Sequence, residues 1–143
     1  MNTRLKVGLA GAVHVNMPGD DRGVIKGFVA EMRGLAGEYG FDLVVWDKPI
    51  QSEEDAEKVR RFLDDEEVDF TMLVNASLPF GRVMLPLAKA KSRLGFWSLP
   101  EPTKTGGLQL NSFCGVNLMG SLLSHDTSRA GILGNWLYGS PDC

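Results

Sequence analysis

Hydrophobic residues along the chain alternate between two textures: short, unbroken apolar runs and longer stretches in which they return every three or four positions. Lys6 to His14 is a run of the first kind, closed by the turn-forming Asn16-Met17-Pro18-Gly19, and reads as a buried strand. Ile25, Phe28, Met32, Leu35 and Tyr39 then recur at helical steps. Asp20 or Asp21 is expected to cap that helix, and Gly40 to close it in a left-handed turn. Phe41 to Trp46 is β-branched and aromatic, a second strand. Ser52 followed by Glu53, Glu54 and Asp55 resembles a capping box, with its acids at the positive end of a helix. Ala56, Val59, Phe62 and Leu63 form the buried stripe of that helix, and Asp64 to Glu67 end it in water.

Val68 to Val74 reads as a third strand, Asn75 to Arg82 as a loop, and Arg82 to Lys91 as a third helix. Pro86 fits only near the first turn of that helix. Arg93 to Ser98 is a fourth strand, followed by a loop that ends in a short strand at Leu108–Leu110. Gly115 to His125 is a fourth helix. Strands alternating with helices across short connections predict an α/β protein, a three-layer αβα sandwich on a mainly parallel flavodoxin- or Rossmann-like sheet. Residues 1–128 would form this amino-terminal domain, and 129–143 the start of a following element or of a truncated second domain. In such a sheet ligands sit outside the carboxyl ends of the strands. His14 to Gly19, Asn75 to Arg82 and Leu99 to Ser112 should therefore share one edge.

Composition narrows the classes. With 43% hydrophobic and 23% charged residues over 143 positions the chain is of ordinary globular make-up. A formal net charge of −3 leaves no basic surplus for a phosphate backbone, so nucleic acid is not an expected partner. No apolar stretch approaches a membrane span, and the broken run after Lys6 is not a secretory signal. Two cysteines, Cys114 and Cys143, make no disulfide framework, which fits a reducing, cytoplasmic compartment.

Several chemistries have no motif. Gly8 and Gly11 do not complete G-x-G-x-x-G, and Lys104-Thr105 lacks a glycine loop before it. No H-E-x-x-H, paired C-x-x-C or EF-hand spacing occurs. Ser124-His125-Asp126 are chain neighbours, whereas a triad converges from separate elements. Among the loop residues, His14 is either a satisfied imidazole or, with Asn16, a donor–acceptor pair facing hydroxyl groups. Leu78, Pro79 and Phe80 either pack on the first helix or form a subunit contact or the apolar wall of a ligand site. Arg82 caps or ion-pairs a helix start or, less commonly, binds a phosphate, and Trp97 fits the core. Glu101 is an exposed loop acid or a hydrogen-bond acceptor. Asn111 and Ser112 are helix-capping residues or polyol contacts, and Cys114 is a thiol of depressed pKa at a helix start or, as is commoner, a small buried one.

Three segments together resemble a known family. Gly11-Ala-Val-His-Val-Asn-Met-Pro18, Asn75-Ala-Ser-Leu-Pro-Phe-Gly-Arg82, and Trp97-Ser-Leu-Pro-Glu-Pro102 continuing to Leu110-Asn-Ser-Phe-Cys-Gly115 are similar in order and spacing to the amino-terminal domain of the L-fucose isomerase and L-arabinose isomerase superfamily. The resemblance implies a Rossmann-like domain of an aldose–ketose isomerase that uses a divalent metal, usually manganese, held by carboxylates and a histidine of later domains. It implies a homo-oligomer in which this domain lends sugar contacts to a neighbouring subunit. Carried over by position, the substrate contacts fall on His14, Asn16, Leu78, Phe80, Asn111 and Ser112. No catalytic residue and no metal ligand falls on this chain, which alone is expected to be inactive.

Two other readings compete. One is a free-standing flavodoxin-like module binding a sugar or phosphate at the same edge, or acting as a regulator. The other is a small enzyme built on His14 and Glu101 as an acid–base pair.

Overall fold

The computed structural model describes residues 4–17, 23–79, 81–125 and 135–138. Its centre is a parallel sheet of five strands in the order β2-β1-β3-β4-β5. The strands are β1 (Lys6–Ala12), β2 (Asp42–Val45), β3 (Phe70–Asn75), β4 (Arg93–Ser98) and β5 (Asn135–Tyr138). The helices are α1 (Val24–Tyr39), α2 (Glu53–Asp65), the short α3 (Gly81–Met84), which runs into a 3-10 turn at Leu85–Lys89, and α4 (Ser112–His125). The expected α/β sandwich is present, and β5 pairs in parallel with β4, so this stretch of 129–143 extends the same sheet. Among the described residues no helix is long and apolar enough to cross a membrane.

Alternation along the central strands divides the core in two. Leu9, Met72 and Val74 point to the layer of α1, where Ile25, Phe28, Val29 and Met32 meet them. Trp97 joins this layer edge-to-face with Phe28, ring centres 5.0 Å apart. Ala10, Leu73, Leu94 and Phe96 face the other layer, against Val59 and Leu63 of α2, Leu87, and Val116 and Met119 of α4. Burial on both faces is what makes these strands apolar throughout, and parallel pairing follows from the helical crossovers.

Local signals held where the chemistry is short-range. Ser52 Oγ accepts from Asp55 N while the Asp55 carboxylate accepts from Ser52 N, a reciprocal cap on α2. Gly40 closes α1 with φ +73°. Elsewhere the structure corrects the reading. Tyr39 is 71% exposed, and Ala36 takes the last buried place on α1. The residue ahead of α1 is Gly23, with no side-chain cap; Asp20 and Asp21 lie outside the described residues. Asp64 does not end α2 in water: it is buried, its carboxylate accepting from Arg60 Nη1 at 2.6 Å and from Lys91 N at 2.8 Å. The third helix is one turn of α-helix and a 3-10 segment with Pro86 in its opening positions, because proline has no amide hydrogen to continue an α-helical ladder. Leu108–Leu110 forms no strand, and α4 starts three residues earlier than expected, at Ser112.

Candidate functional site

The loops that leave β1, β3 and β4 converge over the carboxyl edge of the sheet and are tied to one another. β1 and β3 are neighbours here, and the chain moves outward from them in opposite directions, to β2 on one side and to β4 on the other. That reversal opens a crevice in a doubly wound sheet. His14 N donates to Ser77 Oγ at 2.7 Å, joining the first loop to the second. Leu78 N donates to Leu110 O at 2.8 Å, joining the second to the third. Ser112 Oγ accepts from Leu99 N at 2.8 Å, donates to the Asn75 carbonyl, and lies 3.3 Å from Ser98 Oγ.

His14 is half-buried, and its Nδ1 accepts from Asn16 N at 3.0 Å, so the neutral ring carries its proton on Nε2. Asn16 is exposed on the turn that follows. Leu78 and Asn111 are half-buried at the same edge, and Ser112 is 1% exposed with its hydroxyl engaged. Phe80 lies outside the described residues. The structure thus brings His14, Leu78, Asn111 and Ser112 to one rim and sets Asn16 beside it. Ser112 opens α4, but its hydroxyl bonds across to β3 and to the chain leaving β4, not to its own helix.

Glu101 is not an exposed loop acid. Its carboxylate accepts from three successive backbone amides: Gln109 N at 2.9 Å, Leu110 N at 3.2 Å and Asn111 N at 2.5 Å. Burial pushes this carboxyl up, but the amide hydrogens together outweigh it and hold its pKa below the usual carboxylate value. The carboxylate is thus a hydrogen-bond acceptor for the backbone where the loop returns to α4. Cys114 is exposed, contrary to the buried thiol expected. Arg82 pairs with Glu53 at 2.7 Å on the surface.

Sequence reasoning passed over Asn75 and Ser98, partners in register at the ends of β3 and β4, both buried. The signal was there: each is a polar residue closing an otherwise apolar buried strand. Two other concavities carry different chemistry. An apolar pocket under α4, lined by Leu73, Met84, Phe96, Met119 and Leu122, is part of the core. A cleft of about 420 Å³ opens at Asp64, Glu67, Asp69, Lys91 and Arg93, beside the amino ends of β3 and β4. Two of its carboxylates are already bonded, Asp64 to Arg60 and Asp69 to Lys6 N.

Among the described residues no three His, Cys, Asp or Glu side chains stand close enough to hold a metal ion. No protein-family model matches the chain, and no curated protein matches it.

Proposed function

We propose that the chain is the amino-terminal domain of a cytoplasmic, metal-dependent aldose–ketose isomerase of the L-fucose and L-arabinose type. In this reading it supplies sugar contacts while the metal is held by other parts of a homo-oligomeric assembly. The observation that carries the reading is the bonded rim. The three segments that resemble the family are the three loops joined at one sheet edge, and they present an imidazole, two asparagine amides and the apolar Leu78. Such neutral donors and acceptors beside an apolar surface match the hydroxyl and C–H faces of a sugar. The outer side of α4 supports the assembly. Phe113, Cys114, Asn117, Leu118 and Ser121 are exposed there without a charge among them, whereas α2 exposes Glu53, Glu54, Lys58, Arg61 and Asp65.

The test is a titration of this chain with L-fucose and L-arabinose, with and without manganese, followed by amide chemical shifts. Weak binding, about 1–100 mM, is expected, independent of manganese and with shifts at His14, Leu78 and Asn111. No aldose–ketose conversion is expected. Conversion by this chain alone, or no response at those amides, would overturn the reading. The strand order is also that of flavodoxin-like proteins, which bind ligands at the junction of β1 and β3. Metal-independent binding of a sugar or phosphate at about micromolar strength would favour a free-standing binding module.

A further inference from the structure

Asn75, the last residue of β3, is fully buried, and neither its side-chain nitrogen nor its oxygen has a hydrogen-bond partner. Buried amides are nearly always bonded, because an orphaned one gives up its hydration without return. A leucine of the same outline would fill this place with no such penalty. The neighbours are those of a site's end wall. A β-carbon placed on Gly115, in the first turn of α4, would lie 3.1 Å from Asn75 Nδ2, 3.0 Å from Pro79 Cδ and 3.4 Å from Leu78 Cα. The amide therefore lies between the loop after β3 and the opening turn of a 14-residue helix, whose N-terminal end carries partial positive charge. It also ends the strand beside β1, in register with Ala12, where the chain order reverses.

We infer that Asn75 is a ligand-recognition residue, its amide taking a pair of hydroxyl groups on a polyol, one accepting from Nδ2–H and the other donating to Oδ1. The inference rests on the isomerase-domain reading and names a contact that reading does not include. A neutral ligand suits the place better than an anion, because the Glu101 carboxylate already occupies the amides of Gln109, Leu110 and Asn111 just ahead of α4. Its charge opposes a second negative group there. Leu78 and Pro79 border the same turn of α4, at Gly115, as the amide does. Their segment is held by the bonds from His14 N to Ser77 Oγ and from Leu78 N to Leu110 O. A sugar reaches Asn75 when these two bonds open, and its C–H faces then meet Leu78 and Pro79.

The experiment uses the same 143-residue chain with L-fucose and L-arabinose as probes. Asn75→Leu keeps the outline and removes both polar atoms; Asn75→Ala is the second variant and carries the sugar test if the first does not fold. Asn75→Leu is expected to melt roughly 2–8 °C above the unaltered chain. Both variants are expected to lose sugar affinity by about tenfold or more, read from the amides of His14, Leu78 and Asn111. A lower melting temperature for Asn75→Leu means that the amide is satisfied where it stands, and overturns the inference. Equal sugar response in the unaltered chain and in the variants leaves the isomerase-domain reading in place and removes only the role of Asn75. No sugar response in the unaltered chain removes the reading, and the inference with it.

Discussion

Asn111 donates its backbone N–H to Glu101 Oε1 at 2.5 Å while its own backbone is left-handed, with φ +49°. A non-glycine residue in that region costs about 1 kcal/mol, and the bond to a charged acceptor offsets it. Glu101 thus fixes the backbone from which Asn111 projects and from which α4 starts. The intervening residues 102–108 are all exposed, so this carboxylate bridges the two ends of a solvated loop.

Acid should release that base. The folded-state pKa of Glu101 lies below its usual value, because three amide hydrogens outweigh the effect of burial. An unfolded glutamate titrates near ~4.3, so the stabilisation is present in full above that pH and is lost as pH falls through the lower folded value. Glu101→Gln should therefore be less stable than the unaltered chain by about 1–2 kcal/mol at neutral pH. In urea titrations the gap should shrink once pH falls below the unfolded value and close below the lowered folded one. A gap that persists in acid would show that shape, not charge, holds the loop.

The reciprocal cap at the start of α2 gives a second, local prediction. Ser52→Ala removes the acceptor for Asp55 N, and Asp55→Ala removes the acceptor for Ser52 N and Gln51 N. Each should cost about 1 kcal/mol, and the double variant should cost less than the two together, since each half orients the other. Thermal unfolding of the four proteins measures this. Strict additivity would mean that the two bonds act independently.

These two cases mark what was legible in the sequence. Ser52 and Asp55 are three residues apart, and Gly40 directly follows the residues it closes, so chain neighbours alone fix their geometry. The strands were legible for a different reason: burial on both faces leaves an unbroken apolar run. Asp64 was misread because its partners are a side chain on its own helix and the backbone of Lys91, 27 residues away. Tyr39 keeps the helical period yet stands in solvent, since periodicity does not say where a helix leaves the sheet. The candidate site divides likewise. That three loops share an edge follows from the alternation of elements, and His14 and Asn111 were found there. The bonds that join the loops run between residues 13 to 63 positions apart, so although Asn75 and Ser98 show as polar ends of apolar strands, nothing local names the partners across the loops.

Close packing near the same edge yields a third prediction. A β-carbon on Gly11 would fall 2.6 Å from both Cγ1 and Cδ1 of Ile25, the residue that anchors the start of α1. Gly11→Ala should destabilise by about 1–3 kcal/mol through overpacking. Ile25→Ala alone should cost about 2–5 kcal/mol as a core truncation. In the double variant the new methyl group occupies space that the truncation vacates, so the total should fall short of the sum by about 1 kcal/mol. Urea unfolding of the three variants supplies the cycle, and a total equal to or above the sum would mean that α1 moves rather than the side chain.

Ser112 is the point through which the chain leaving β4 reaches both β3 and α4. Its hydroxyl is one donor and two acceptor sites, and the structure uses the donor on the Asn75 carbonyl and an acceptor site on Leu99 N. With the residue 1% exposed, water cannot replace the hydroxyl unless the loops part. Ser112→Ala therefore strands an amide hydrogen and a carbonyl oxygen, and should cost about 2–4 kcal/mol. Asn117→Ala, exposed on the same helix, should stay within about 0.5 kcal/mol of the unaltered chain and serves as the control. Hydrogen exchange locates the loss: the Leu99 amide should exchange faster in Ser112→Ala, whereas amides of α2, on the far side of its cap, should keep their order of protection. If Ser112→Ala is as stable as the control, the hydroxyl is not what binds the loop after β4 to β3, and the rim is held by the backbone bonds alone.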